Sequence, residues 1–139
     1  MAYWLMKDEP DHYSWDRLLT DGKHCWSKVR NYQARNNIRE MKKGDVALFY
    51  HSMSEKRVVG AMKVASAPYP NPDDDTWTFI DVTPYFPLKE PVDLATLKSD
   101  PATRDMKFIK QSRLSVSPVS QEEFDRIVEL GGKGKLKKG

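Results

Sequence analysis

The sequence predicts an α+β domain built on a small curved β-sheet or barrel. Short apolar segments typical of strands are interspersed with short helical segments, without the regular alternation of βαβ folds. A length of 139 residues fits one domain with its own core, which we expect to span residues 1–130. No apolar run approaches the roughly 18–20 residues that span a bilayer, and the first ten residues lack the pattern of a secretion signal.

The first strand and the first helix are predicted from an apolar run and a pair of helix caps. Residues 3–7 (YWLMK) are typical of a short, largely buried strand. Ser14 is placed to cap a helix over residues 15–21, and Gly22 is placed to end it.

Periodicity predicts the second helix and the two strands that follow. Asn31 is placed to cap a helix with an apolar stripe. The stripe consists of Ala34, Ile38 and Met41. Residues 46–52 (VALFYHS) form an almost continuous apolar run, typical of a strand covered on both faces. Residues 58–67 form a further strand, in which Gly60 indicates a bulge or a close approach to the backbone.

Turn residues and prolines divide the next part of the chain. A turn at residues 71–75 (NPDDD) precedes a strand over residues 77–86, whose far end we expect Pro84 and Pro87 to break. Asp93 is placed to cap a short helix.

A final strand and helix complete the predicted domain. Residues 113–120 (RLSVSPVS) are typical of a strand, and Ser120 with Glu123 forms a capping box. The helix that follows is expected to end at Gly131. Its inward-facing residues are Phe124, Ile127 and Val128.

Charge is distributed unevenly along the chain. The tail at residues 131–139 carries four lysines and four glycines, so we expect it to stay flexible, and without its lysines the net charge of +3 becomes −1. Residues 22–45 carry seven cations against two acids, whereas residues 72–105 carry eight acids against three cations. One basic segment in a near-neutral body fits a localised anionic partner, although a solvated helix face explains it equally well.

The cysteine and histidine residues indicate neither a disulfide nor a metal site. Cys25 is the single cysteine, and His12, His24 and His51 show no ligand spacing with it. We therefore expect no cofactor and no metal, and a monomeric, soluble protein inside the cell, in the cytoplasm.

Residues 25–36 (CWSKVRNYQARN) contain no acidic side chain, and Trp26 leads into Arg30 and Asn31. An aromatic plane beside amide and guanidinium groups suits a nucleobase, because the ring stacks on the base, worth ~1–3 kcal/mol, and the amides read its edge. Arg30 and Arg35 suit the flanking phosphates. The alternative is that Trp26 belongs to the core, as most tryptophans in a domain of this size do.

The strand VALFYHS supplies a candidate pocket wall. Side chains alternate across a strand, so Phe49 and His51 share one face while Tyr50 and Ser52 share the other. Only one pair can face a given pocket unless a bulge intervenes, and His51 and Ser52 point apart, which argues against a nucleophilic dyad. At the end of the first strand, Lys7–Glu9 either border the same cavity or form an exposed turn.

The most specific signal is a set of five segments that follow one another between Tyr3 and about Leu130. They are YWLMKDEPD, WSKVRNYQARNNIREMKKGD, FYHS, VVGAMKVASAPYP and RLSVSPVSQEEF. Together they closely resemble the EVE domain family of the PUA-like superfamily. The resemblance implies a PUA-like fold, a small bent β-barrel flanked by short helices. It also implies a reader that accepts a flipped, modified base in an aromatic pocket.

The resemblance also implies which residues form the site. Trp26 matches the family's pocket tryptophan, Arg30 and Asn31 its VRN segment, and Phe49–Ser52 the pocket wall, while Trp77 is a further candidate by analogy with the cage of YTH domains. The expected base pocket consists of Trp26, Asn31, Phe49, Tyr50, His51, Ser52 and Trp77. The expected phosphate-binding residues are Lys7, Lys28, Arg30 and Arg35.

Two departures from the family pattern bear on the ligand. Asp8 stands where the family usually has serine, which places a carboxylate near the pocket rim. Ser27 and Lys28 stand where the family usually has Asp-Gly, so the loop loses a glycine and gains a cation.

Three functions are weighed on these residues. The leading hypothesis is a non-enzymatic reader of DNA or RNA that carries a modified base, with a modified cytosine as the base. The rival is an amidohydrolase of the kind known among ASCH relatives, which would act on an acylated pyrimidine nucleoside with Lys7, Glu9 and Ser52. The third is a protein-interaction module whose aromatic residues all belong to the core.

Overall fold

The computed structural model describes residues 1–136, which form seven strands and five helices. In chain order these are β1 (Tyr3–Asp8), α1 (Trp15–Asp21), β2 (His24–Trp26), α2 (Tyr32–Glu40), β3 (Val46–His51), β4 (Arg57–Val64), β5 (Tyr69–Asn71), β6 (Asp74–Asp93), α3 (Leu94–Ser99), α4 (Lys107–Lys110), β7 (Val116–Val119) and α5 (Gln121–Gly131). No helix within this part of the chain combines the length and the hydropathy needed to cross a membrane.

The strands form one mixed sheet in the order β2-β6-β4-β3-β1-β7, and β5 pairs with β6. Within the described residues, β1 and β3 are parallel to each other and the other neighbours are antiparallel. β6 spans 20 residues and pairs with β2, β4 and β5 along different parts of its length. The sheet curls into a half-barrel with short helices around it, which confirms the predicted PUA-like α+β fold.

The sheet separates two apolar clusters. One contains Trp26 and Phe49 together with the buried side of α2. The other contains Tyr50 and Phe108 together with the buried sides of α3 and α5. Consecutive residues of β3 thus point to opposite faces, as the alternation of a strand requires. This separation decides which of the predicted pocket residues can meet.

The predicted helix caps are confirmed. In each case a side-chain oxygen of the residue before the helix accepts the main-chain N–H three residues later, at 2.8–3.1 Å. The capping residues are Ser14, Asn31, Asp93 and Ser120. Because such a bond satisfies an N–H that has no partner inside the helix, these residues fix where each helix begins.

Gly60 marks a close approach, as predicted. A Cβ atom at this position would lie 2.7 Å from the ring of Trp15, the first residue of α1. The glycine therefore lets α1 pack directly on the backbone of β4.

Pro84 and Pro87 do not end their strand, and that prediction is wrong. β6 continues to Asp93. β2 pairs only with residues 80–82 and so does not reach Pro84, and the chain after α5 contacts Pro87 through its carbonyl, which accepts the N–H of Gly134. A residue without a main-chain N–H is tolerated in a strand where no neighbouring group needs that N–H. The register with β4 also shifts twice along this stretch.

The first residues of the predicted tail lie against β6. The N–H of Lys89 donates to the carbonyl of Gly132, and the N–H of Gly134 donates to that of Pro87, both at 2.8 Å. Main-chain pairing of this kind needs no apolar side chains, so a segment rich in lysine and glycine can form it. The flexibility of the tail stays a prediction. Residues 137–139 lie outside the described part of the chain.

Candidate nucleic-acid interface

A ladder of aromatic and guanidinium groups lies at the beginning of α2. Tyr32 stacks on Trp77, with ring centroids 5.3 Å apart and planes inclined by 20°. The guanidinium of Arg30 lies 5.4 Å from the ring centroid of Trp77, and that of Arg35 lies 4.9 Å from the centroid of Tyr32. Tyr32 is 61% exposed. We call these four residues the α2 ladder.

The cap at Asn31 explains why the ladder forms. Its side chain accepts the N–H of Ala34 at 2.9 Å, so Tyr32 becomes the first helical residue. Tyr32 then lies outside the buried stripe of α2 and meets Trp77 at the start of β6. The Asn31 amide is thereby committed to the helix through its oxygen, and its predicted role in reading a base stays a prediction.

The cations of this surface are positioned by neutral groups. Arg30 donates to the carbonyls of Ser27 and Val29, and Arg35 donates to the carbonyl of Thr76. Within residues 1–136, no carboxylate lies within 4.0 Å of Lys28, Arg30 or Arg35. Their charges therefore remain available to an anionic ligand.

An acidic turn limits the surface on one side. Hydrogen bonds from Thr76 lower the pKa of Asp74, and the charge of Arg30 lowers it further. This carboxylate therefore stays ionised at neutral pH, and phosphates are repelled from the turn at residues 72–75.

Trp26 is buried, which agrees with the alternative that it belongs to the core. The residue is 4% exposed, ends β2 and pairs with Ile80. Its ring meets the edges of Phe49 and His24 at centroid distances of 5.4 and 5.8 Å. A strand of three residues is too short to show alternation in the sequence, so β2 was not predicted. The assignment of Trp26 to the base pocket stays a prediction.

The side chains of the run FYHS lie on opposite faces of the sheet. Phe49 and His51 lie on the side of Trp26, with exposures of 0% and 6%. His51 Nε2 accepts the N–H of Trp15 at 3.0 Å, and its Nδ1 lies 2.9 Å from Glu55, so both ring nitrogens have structural partners. Tyr50 lies in the other cluster. The seven predicted pocket residues therefore cannot line one cavity.

Lys7, Tyr50 and Ser52 line a cavity of about 300 Å³ at the ends of β1 and β3, which we call the β1–β3 cavity. Trp26 does not line it. Glu9 is exposed and lies outside it, and no carboxylate is among its lining residues. The structure therefore does not assemble Lys7, Glu9 and Ser52 into the acid–base set that the amidohydrolase alternative needs.

Within residues 1–136, no three His, Cys, Asp or Glu side chains lie close enough together to hold a metal ion.

Asp8 makes contacts only a few residues away in the chain. Its carboxylate lies 3.0 Å from Nδ1 of His12 and also accepts the N–H of Glu9. Neither group faces the α2 ladder.

The family model for the EVE domain matches residues 2–130 of this chain. The chain belongs to the EVE domain family. This EVE domain is 36% identical to human thymocyte nuclear protein 1 in an alignment that covers 93% of this chain and 73% of the relative. A protein from Rhodopseudomonas palustris, solved by NMR, is 40% identical with a TM-score of 0.90, and the match covers 95% of this chain and 94% of that one.

One related crystal structure contains nucleic acid. It is human THYN1 protein in complex with 5-methylcytosine-containing DNA, which is 32% identical to this EVE domain. Its TM-score is 0.88, and the match covers 97% of this chain and all of that one. An ASCH protein from Zymomonas mobilis has a TM-score of 0.61 at 10% identity, so this likeness shows a shared fold alone.

Sequence reasoning missed Tyr32, the most exposed aromatic residue of the ladder. The signal was present in the acid-free run at residues 25–36, where Tyr32 directly follows a cap and lies outside the stripe of Ala34 and Ile38. That position predicts an exposed ring. The stacking role was assigned to Trp26, the larger aromatic residue, and not to Tyr32.

Proposed function

We propose that this EVE domain is a non-enzymatic nucleic-acid-binding protein that reads a modified base, with a modified cytosine as that base. The observation that carries the proposal is the α2 ladder, in which an exposed ring and two guanidinium groups without carboxylate partners share one surface. The relative bound to 5-methylcytosine-containing DNA supports the choice of base.

The ladder suits an unstacked base and the phosphates beside it. Bases stack both on aromatic rings and on guanidinium planes, so a base extends the ladder at Tyr32 and Arg35. Arg30 and Lys28 are free to bind phosphate oxygens, which makes the affinity depend on salt. Lys7 contributes nothing to this surface, because it lines the cavity on the other side of the sheet.

The modified base is read at one of two places. The first is the α2 ladder itself. The second is the cluster of Trp26, Phe49 and His51, which is closely packed and would have to open before a base could enter. Extruding a base from a duplex costs a few kcal/mol, and opening this cluster adds to that cost.

Binding to oligonucleotides with a single 5-methylcytosine or an unmodified cytosine tests the proposal. We expect fluorescence anisotropy to show tighter binding of the methylated oligonucleotide. We expect Tyr32→Ala to weaken binding at whichever of the two places the base is read. Trp26→Phe, which keeps most of the core volume, should remove the preference for methylcytosine only if the base enters beside Trp26. Tyr85→Ala is the matched control, since Tyr85 is an exposed tyrosine far along β6.

Three results would contradict the proposal. Absence of binding to either oligonucleotide would show that nucleic acid is not the partner. Equal affinity for both would show that the protein does not prefer a modified base. Deacetylation of N4-acetylcytidine by the protein would contradict the non-enzymatic assignment. The choice between DNA and RNA, the monomeric state and the location inside the cell stay predictions.

A further inference from the structure

The β1–β3 cavity has a cationic rim and an apolar floor. Its lining includes three lysines, Lys7, Lys56 and Lys98, and no acidic residue. Phe108, Leu94 and Ile109 provide apolar surface, and Ser52 and Ser112 add polar groups. A volume of about 300 Å³ lies at the lower end of the range for ligand sites.

Lys7 retains unused hydrogen-bonding capacity. Its Nζ donates to the carbonyl of Ser112 at 2.9 Å and lies over the rings of Phe108 and Tyr50, at 5.3 and 5.8 Å from their centroids. An ammonium group has three N–H donors, so two remain. No carboxylate of residues 1–136 lies within 4.0 Å of it. Burial lowers the pKa of Lys7, and no carboxylate beside it offsets this effect.

Tyr50 provides a second polar group in this cavity. The residue is 4% exposed, and its hydroxyl oxygen, which has no hydrogen-bond partner among residues 1–136, stays in contact with the open cavity and is not sealed in the core. Burial, and then the charge of Asp93, raises the pKa of Tyr50 to about 12, so the hydroxyl stays protonated and can donate. A hydroxyl that lines a cavity without a protein partner is free to bind a ligand.

The loop between β3 and β4, which carries three of the lining residues, has an unusual backbone. Met53 and Lys56 have φ values of +64° and +51°, in the left-handed region that side-chain-bearing residues rarely adopt. Both residues line the cavity. Such conformations persist where the surrounding structure holds them, and they occur preferentially at functional sites.

We propose that the β1–β3 cavity is a binding site for a phosphate monoester, in which Lys7 and Tyr50 donate to phosphate oxygens and Lys56 and Lys98 add charge. A phosphate monoester has three terminal oxygens, enough acceptors for the free donors of Lys7 and the Tyr50 hydroxyl. The apolar floor contacts the group that carries the phosphate. Asp93, whose charge contributes to the raised pKa of Tyr50, caps α3 through Thr96. The proposal does not depend on the α2 ladder, since the two sites share no residue.

The site is tested by calorimetric titration of the whole chain with inorganic phosphate, deoxycytidine 5′-monophosphate and deoxycytidine. We expect both phosphates to bind and the nucleoside to bind at least about tenfold more weakly, because it lacks the charge-assisted hydrogen bonds. Lys7→Gln should lower the affinity for the nucleotide about tenfold, and Tyr50→Phe about fivefold. Tyr50→Phe removes a single unpartnered oxygen, so it reports on the site even if Lys7→Gln disturbs the fold.

A control variant locates the binding. Lys107→Gln removes the same charge from α4 outside the cavity and should not change the affinity for the nucleotide. Equal binding of nucleoside and nucleotide would overturn the proposal. A loss with Lys107→Gln as large as that with Lys7→Gln would do the same.

An oligonucleotide pair identifies the source of the phosphate. If a 5′-phosphorylated oligonucleotide binds more tightly than its 5′-hydroxyl counterpart, and Lys7→Gln removes the difference, the ligand is the end of a nucleic acid. If only the mononucleotide responds to Lys7→Gln, the ligand is a free nucleotide. If neither responds, the site does not bind phosphate.

Discussion

Replacement of Tyr32 by alanine isolates the contribution of the α2 ladder. Stacking of a base on an aromatic side chain is worth ~1–3 kcal/mol, so its loss corresponds to roughly a 5- to 150-fold rise in Kd. The substitution uncovers Trp77, which offers a second stacking plane. We therefore expect a value near the lower end, about a fivefold to tenfold loss of affinity for a single-stranded oligonucleotide.

The same substitution should cost little stability. Tyr32 is 61% exposed and contributes chiefly its stack on Trp77, worth about 0.5–1.5 kcal/mol, which the helix propensity of alanine partly offsets. A thermal melt close to that of the wild type would show that the loss of affinity does not come from unfolding. Tyr85→Ala again serves as the control.

The salt dependence separates stacking from charge. Tyr32→Ala should leave the slope of log K against log salt unchanged, since no charge is removed. Arg35→Gln should make it shallower by about 0.7 for a single strand if Arg35 binds one phosphate. A Kd for Tyr32→Ala within twofold of the wild type, with the fold intact, would show that no base stacks on this surface.

Two further predictions concern the fold. Gly60→Ala should lower the free energy of unfolding, measured in urea, by at least about 1–3 kcal/mol, because its Cβ would lie 2.7 Å from the ring of Trp15; unchanged stability would contradict the close approach. Asp45 is 4% exposed, and although burial raises its pKa, hydrogen bonds from Trp4, Lys42 and Ala2 outweigh burial and lower it below 3.8. The carboxylate therefore stabilises the fold above pH 3.8 and loses this effect as the pH falls through its folded pKa, so Asp45→Asn should destabilise the protein at pH 7 and progressively less as the pH falls below 3.8. A destabilisation that did not depend on pH would contradict the role of the charge.

Local signals in the sequence predicted most of the fold. A helix cap is a contact between residues three apart, so Ser14, Asn31 and Ser120 could be placed without knowledge of the tertiary structure. Gly60 was also informative, because a glycine weakens a strand interior and is typical of a bulge or a close approach. The continuation of β6 past Pro84 could not be predicted in this way. It depends on where β2, which lies far earlier in the chain, stops pairing with β6.

The candidate site was harder to predict, because exposure is a property of the assembled molecule. Trp26 and Tyr32 both lie in the acid-free run, yet one is 4% and the other 61% exposed. The difference arises from pairing of Trp26 with Ile80, a contact between distant parts of the chain. The positions of Tyr50 and Phe49 on opposite faces did follow from alternation. What alternation could not supply was the set of groups from α3 and α4 that closes a cavity over Tyr50.

The α2 ladder and the β1–β3 cavity lie on different sides of the sheet but are connected at its margin. Gln33, beside Tyr32, donates a hydrogen bond to Gln111 at 2.9 Å, and the next residue, Ser112, accepts the Nζ donor of Lys7. These two hydrogen bonds connect the neighbourhood of the ladder with the wall of the cavity. If one ligand occupies both sites, binding at the first raises the effective concentration at the second, and the effects of Tyr32→Ala and Lys7→Gln are no longer additive. If two ligands bind, the effects add, because the two residues share no partner.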